Sequence, residues 1–496
     1  MLRTITTILK NNITVFLTLL FFLLCLVLIS VDRAIWFDEA YSLAIIRHSW
    51  KEIIQFTTND FSPPLYYFIL KSFSLLFGSD VFVMRMVSVL PSVITMLVVS
   101  YFLKKEFGKT ASLFFCLSFL ASNTGILHSI DIRMYSWALL FVTMTFISGY
   151  GVLTTSKFKW YASLFVFTLA TFYTHYYASI LVACGYFYLF IYTFFRHKRT
   201  FLHLIILTIL ISTLYAPWFF IILNQLSAAK SNYWIPDFTF NSFVVIVGSV
   251  FNSGNYLITL IIFLIHLAVF TRAIVKTEKS TKDYYMFGGL LSIVSLLLIG
   301  VLLSVLVRPL FISRYMIPGL TLLWMFFATQ IRSFKNRTIS LSIASFLVFS
   351  SLLTAYTIYQ TSDRISANGL ETFRNYLSDK LSPEDIIVIA PPEKSGHLMG
   401  MISYLFPNHT MAITQKDADI SENSTLDYKK SPFEMTIITY SEISRFPERK
   451  KWLIIPTDSN ELKPEQILGS QTVNNAGQFS WSTFQAGYQF DLYYTK

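Results

Sequence analysis

The stretch FVMRMVSVLPSVITMLVVSYFLKKEFGK, residues 82–109, decides the fold. Between Phe82 and Leu103 its only charge is Arg85, and it ends in Lys104, Lys105 and Lys109. An apolar run of that length fits the hydrocarbon core of a bilayer. A basic cluster at its end marks the cytoplasmic side. The whole chain agrees. Of its 496 residues 54% are hydrophobic, 17% aromatic and only 14% charged, against about 25% charged in soluble domains. So much apolar surface needs a membrane as solvent.

The pattern recurs at 13–30, 110–128, 134–153, 160–175, 178–195, 201–223, 255–271, 284–306, 315–330 and 338–358. The expectation is an all-α polytopic domain of about eleven transmembrane helices. The first run, Ile13 to Ser30, is followed by Asp32 and Arg33 and has no small-residue cleavage site. It reads as a retained helix, not a signal peptide. Every second loop is basic: Arg3 and Lys10; Lys157 and Lys159; Arg196, Lys198 and Arg199; Arg272, Lys276, Lys279 and Lys282; Arg332, Lys335 and Arg337. The positive-inside rule puts these in the cytoplasm, with the N-terminus inside and the C-terminus outside the plasma (inner) membrane. The net charge of +11 is spread over these loops, so it is no nucleic-acid footprint. Cys25, Cys116 and Cys184 all fall in apolar runs and have no metal or disulfide spacing.

The remaining loops face outward and carry different chemistry. In the first, Trp50–Thr57 and Pro64–Phe77 mix apolar, aromatic and Lys residues; they read as interfacial helices. After Tyr359 long apolar runs vanish. The runs Ile386–Ala390, Met411–Thr414, Thr436–Tyr440 and Trp452–Ile455 read as strands, and Leu370–Leu381 and Ser395–Leu405 as helices. The expected division is 1–359 for the transmembrane domain and 360–496 for an extracytoplasmic α/β domain.

Ionisable residues near membrane helix ends are costly and tend to be functional. Asp38, Glu39, Asp60 and Asp131 collect at the outer ends with Arg85, Arg133, Arg308 and Arg314, and with His128 and His175. Adjacent helical residues point about 100° apart, so one of Asp38 and Glu39 can serve as general base on a hydroxyl while the other braces it. A solvated interfacial pair or a helix cap is the plain alternative. Arginines grip phosphate oxygens in a planar fork, so Arg85, Arg133 and Arg314 suit a lipid phosphate held as leaving group. Ordinary headgroup contact, or pairing with the nearby carboxylates, is the alternative for each. Asn59-Asp60-Phe61-Ser62-Pro63-Pro64 is a rigid turn before Tyr66 and Tyr67, which suit sugar stacking or lipid packing. His128, His175 and Glu39 have no ligand spacing to support a metal.

In order along the chain, WFDEAYS (36–42), SPPLYYFILK (62–71), HSIDIRMYS (128–136), THYYAS (174–179) and ISRYMIP (312–318) resemble the signatures of GT-C fold glycosyltransferases. The resemblance is to the family-39-like bacterial enzymes related to protein O-mannosyltransferases and to the lipid A aminoarabinose transferase. It covers residues 1–360. Ser62 stands where many relatives have His, and Asp131 where Glu is commoner. The WWDYG-type signature of oligosaccharyltransferases is missing. The resemblance implies an inverting transfer from a polyprenyl-phosphate-linked sugar to an acceptor glycan, lipid or protein, without a required cofactor. Asp38 and Glu39 would be catalytic and Arg85, Arg133 and Arg314 would bind the donor phosphate. Asp60, Tyr66, Tyr67, Asp131, Tyr135, His175 and Tyr315 would line the substrate site. The competing class is a transporter or flippase for a lipid-linked or anionic substrate. Such proteins place broken helices and polar sites at the bilayer midplane, whereas here the charges gather at one face.

Overall fold

The computed structural model describes residues 20, 22–24, 26–27, 33–228, 235, 237–252, 254–275, 280–331, 334, 336–364, 368–390, 396–415, 432–433, 435–439, 449–457, 463–468, 472–482 and 487–495. The chain divides into two units. One comprises Met1–Ser30, Asp60–Phe73 and Phe82–Tyr359; the other comprises Val31–Asn59, Ser74–Val81 and Gln360–Lys496.

In the first unit, seven described helices are long and apolar enough to cross a bilayer: Val81–Phe107, Tyr135–Thr155, Tyr176–Arg196, Lys198–Leu226, Tyr256–Val275, Thr281–Leu306 and Thr338–Ile358. These are the spans expected at 82–103, 134–153, 178–195, 201–223, 255–271, 284–306 and 338–358. Three other expected spans take different forms. The one at 110–128 is interrupted. Its helix ends at Leu120, and Ser122 caps a short helix, Asn123–Leu127, by accepting from the Gly125 amide at 3.1 Å. The one at 160–175 is a 15-residue helix, Phe158–Phe172. The one at 315–330 opens as a 3-10 turn, Ser313–Gly319, containing Pro318, before Leu320–Ile331 continues as α-helix; proline has no N–H for the α-helical ladder. Of the span expected at 13–30, only residues 20, 22–24 and 26–27 are described. Between the spans expected at 201–223 and 255–271 lies a helix the sequence reading did not anticipate, Phe240–Phe251.

The helices carry the signs of a lipid solvent. Along Lys198–Leu226 the side chains of Leu202, Ile206, Ile209, Leu210, Leu214, Phe219 and Phe220 are exposed, as a lipid-facing surface requires. Between helices, hydroxyls pair: Thr143 with Thr321 at 2.7 Å, Thr168 with Tyr186 at 2.9 Å and Tyr188 with Ser295 at 2.8 Å. Such bonds replace the hydrophobic effect as glue where the solvent is itself apolar.

The second unit holds a six-stranded sheet in the order β3-β2-β1-β4-β6-β5. Its strands are β1 (Ile386–Ile389), β2 (Thr410–Gln415), β3 (Met435–Thr439), β4 (Lys451–Pro456), β5 (Val473–Ser482) and β6 (Gly487–Thr495). The first four in that order are parallel, and β6 and β5 are antiparallel. Ile386–Ile389 and Lys451–Pro456 are buried throughout, the mark of strands covered on both faces. Val388, Ala412, Leu453 and Ile455 pack with Ile467 and Leu468. The sequence reading found β1 to β4 but not the β5–β6 hairpin. Asn474, Asn475 and Gly477 are of the types that favour turns, yet they sit at a bulge inside β5, where Gly477 takes φ +124°.

Candidate functional site

The first unit brings four of the five motifs together. The Pro63-Pro64 turn is fixed at both ends. The Gln225 side-chain amide donates to the Asp60 carbonyl, and the Leu65 amide donates to the Tyr173 carbonyl at 3.0 Å. Gln225 also accepts from the Tyr176 hydroxyl at 2.7 Å, and that hydroxyl accepts from Trp218 Nε1 at 3.1 Å. The segment from Asp60 to Tyr67 is thereby held against the turn that carries His175.

From that turn a chain of rings runs through the other motifs. His128 meets Tyr135 edge-on at 5.4 Å, Tyr135 meets His175 at 5.8 Å, and His175 meets Tyr315 at 5.7 Å. Tyr315 stacks on Tyr177 at 4.5 Å, and the Tyr177 hydroxyl donates to the Leu310 carbonyl at 2.6 Å. Edge-to-face packing suits the quadrupoles of these rings.

Arg133 is buried and donates to the Tyr67 hydroxyl at 3.3 Å. Tyr66 and Tyr67 are themselves fully buried, with rings 5.4 Å apart. Neither presents an open face to a sugar; Tyr67 instead holds the guanidinium. Asp131, which the sequence suggests as a partner for Arg133, is within 2.6 Å of His128 Nδ1. The turn is tight, with the Arg133 amide donating to the Asp131 carbonyl at 2.6 Å.

Arg85 is 1% exposed on the helix Val81–Phe107. Pro91 in that helix lacks an N–H, which leaves the Val87 carbonyl without its helical donor. Trp137 Nε1 supplies one at 3.2 Å. This bond ties the helix of Arg85 to the helix that begins just after Arg133. Arg314 and Tyr315, both half-buried, sit in the 3-10 turn.

His175 is the electrostatic reporter of this cluster. It caps the helix Tyr176–Arg196 by accepting from the Ala178 amide at Nδ1, 3.2 Å away, so the neutral ring carries its proton on Nε2. Burial, together with the positive charges of Arg133 and Arg314, pushes its pKa down to about 3. The imidazole is therefore neutral at physiological pH, and the cluster's positive charge resides on its arginines.

In the second unit, Trp36 is extended and the helix α1, Phe37–Ile45, begins directly after it. Asp38 and Glu39 lie in its first turn, where the helix dipole favours negative charge. Glu39 is fully buried and Asp38 half-buried. The Asp38 carbonyl accepts from the Ser42 hydroxyl at 2.8 Å. Of the pair, Asp38 is the less buried carboxylate.

Sequence reasoning passed over Gln225 and the His128–Asp131 pair. A Gln in an otherwise apolar helix is a recognisable signal, as are a His and an Asp three residues apart. Among the described residues, no three His, Cys, Asp or Glu side chains converge as metal ligands do.

Residues 62–221 match the sequence profile of the dolichyl-phosphate-mannose-protein mannosyltransferase family. No curated protein sequence is detectably similar to the chain. Solved structures are similar. ArnT from Cupriavidus metallidurans in the apo state superposes with a TM-score of 0.67 at 10% identity, over 98% of both chains. The same protein bound to undecaprenyl phosphate gives 0.66 at 10% identity, over 97% of this chain and 98% of the other. The chain is thus a multi-pass membrane protein with the fold of ArnT, and across residues 62–221 it carries the sequence signature of the dolichyl-phosphate-mannose-protein mannosyltransferase family.

Proposed function

We propose that this chain is a membrane glycosyltransferase that moves a sugar from a polyprenyl-phosphate donor to an acceptor hydroxyl on the outer face of the plasma membrane. The observation that carries this reading is the gathering of Arg133 and Arg314 around a neutral His175, with Tyr67 holding Arg133. Guanidinium groups buried or half-buried in a membrane protein are expensive, and a lipid phosphate, a diester in the donor and a monoester once the sugar has left, is a ligand whose charge and fork-shaped oxygens offset that cost. A structure of the same fold has been solved with undecaprenyl phosphate bound, which supports a lipid phosphate as that ligand.

The chemistry is a single displacement. The Asp38 carboxylate takes the proton of the acceptor hydroxyl while that oxygen attacks the anomeric carbon. The bond from that carbon to the phosphate oxygen breaks, and the lipid phosphate leaves with the electron pair. Arg85, Arg133 and Arg314 stabilise the charge that develops on the leaving oxygen, and fixed positive charge at such a point is often the main source of rate acceleration. The configuration inverts. Glu39, buried beneath the first turn of α1, braces the helix. The sugar arrives on lipid, so no nucleotide is needed. The arginines supply the positive charge that a metal would otherwise give, and transfer should therefore persist in chelator.

The test is Asp38→Asn in purified protein. The change keeps shape and removes basicity, so turnover should fall by about 10²–10⁴-fold while donor affinity stays. A stable Asp38→Asn protein with near-normal turnover would show that another group is the base.

A further inference from the structure

The helix that carries Asp38 rests on the α/β domain. Phe37, one residue before Asp38, packs on Phe433 at 6.0 Å, and Tyr41, one turn later, meets the same ring at 6.0 Å. The ring lies against the helix α2, Gly396–Leu405, which follows β1. There Gly400 leaves no room for a side chain. A Cβ at that position would lie 2.5 Å from Phe37 Cε2, 2.7 Å from Phe37 Cδ2 and 2.9 Å from Phe433 Cζ. Beyond the end of α1, His48 Nε2 donates to the Pro432 carbonyl at 2.9 Å, and the Arg47 guanidinium lies 5.4 Å from the ring centre of Tyr404, itself on α2. The helix is thus fixed at its start by rings packed over a glycine and at its end by a hydrogen bond and a cation–π contact.

We infer that the α/β domain is a seat for the catalytic base, with Gly400 and Phe433 as positioning residues that set where Asp38 stands. The inference rests on Asp38 being the base. Helix α1 is nine residues long, too short to hold its place unaided. The small residue at 400 then has a function-linked reason. It lets the Phe37 ring sink onto α2, which fixes the backbone of the next residue. A misplacement of about 1 Å at a reacting group can cost on the order of 100-fold in rate, so steric pressure at Gly400 should reach turnover through Asp38.

The test uses the full-length protein with Gly400→Val, the double variant Gly400→Val with Phe37→Ala, and Phe433→Ala. Turnover, affinity for polyprenyl phosphate and thermal unfolding are measured on each. Gly400→Val should lower kcat on the order of 10–100-fold and leave polyprenyl phosphate affinity within about twofold, since the arginines belong to the other unit. Removing the Phe37 ring relieves the clash but also removes the ring that anchors α1, so the double variant should regain thermal stability while kcat stays low, a split that general destabilisation of the domain does not give. Phe433→Ala, which adds no volume, should lower kcat with affinity kept; if Gly400→Val does not fold, this variant decides alone. Unchanged kcat in Gly400→Val or Phe433→Ala, full recovery of kcat in the double variant, or parallel loss of kcat and lipid affinity overturns the inference. Asp38→Asn is run alongside. If it keeps turnover, the assignment of the base fails; if it loses turnover and Gly400→Val does not, only the seat fails.

Discussion

Acidification should destabilise this protein through one imidazole. His175 is 4% exposed, and its pKa is pushed from 6.5 to about 3 by burial and by Arg133 and Arg314. In the folded chain the ring stays neutral down to that value; in the unfolded chain it protonates near 6.5. Between the two values the unfolded state binds one more proton, so stability is complete above about pH 6.5 and falls as pH drops. The slope is about 1.4 kcal/mol per pH unit below 6.5, or about 2 kcal/mol at pH 5. The assay is thermal unfolding in detergent at pH 7.5 and pH 5, for the wild type and for His175→Asn. Asparagine also caps a helix N-terminus and does not titrate, so its loss between the two pH values should be smaller by about 2 kcal/mol. Other titrating groups contribute equally to both proteins and cancel. Arg133→Gln removes one of the opposing charges and should lessen the acid sensitivity of the wild-type ring. Equal pH dependence in the wild type and His175→Asn would refute the account of His175 as a buried neutral ring between two guanidinium groups.

Two further outcomes follow from the same geometry. Arg133→Ala or Arg314→Ala should weaken binding of polyprenyl phosphate by about 2–5 kcal/mol, as truncation of a buried charge contact does, with Lys rescuing only partly for want of the planar fork; wild-type affinity in both Ala variants, measured by competition, removes the assignment. Ser378→Cys, placed on an exposed position of the helix Asn368–Ser378 in a chain otherwise lacking cysteine, should react with an impermeant thiol reagent in intact cells; reaction only after lysis reverses the proposed orientation.

The long helices were legible because one force dominates them. A run such as Phe82–Leu103 has no stable place outside a bilayer, whatever its neighbours do. Boundaries were less legible where local chemistry competes. Ser122 and Asn123 offer the backbone a cap in the middle of an apolar run, and Pro318 disrupts the start of another. The β5–β6 hairpin was invisible because its bulge uses the residues of a turn. In the site, residue types were readable from the sequence, but partners were not. The sequence offers Asp131 to Arg133 by proximity; the fold also sets Asp131 against His128, three residues back, and adds for Arg133 the hydroxyl of Tyr67, sixty-six positions away. Separations of that size are settled by tertiary packing, which periodicity does not encode.

The first outer loop shows what that packing does for the chemistry. The first of its crossings between the units falls between Asn59 and Asp60, within the turn Asn59-Asp60-Phe61-Ser62-Pro63-Pro64. On one side, Asp60 and Leu65 are bonded to Gln225 and Tyr173 of the transmembrane unit. On the other, Phe37, Arg47 and His48 are bonded or packed to Phe433, Tyr404 and Pro432 of the α/β unit. A single covalent loop therefore supplies the proposed base to one folded unit and the Tyr67 support of Arg133 to the other. Groups held by separate packing networks respond independently to mutation, and their effects add in free energy. Lesions at Tyr67, Gln225 or Trp218 should then be read in donor affinity, and lesions at Gly400, Phe433 or His48 in turnover. Combined lesions from the two sets should add, and a departure from additivity in a double-mutant cycle would refute this division of roles.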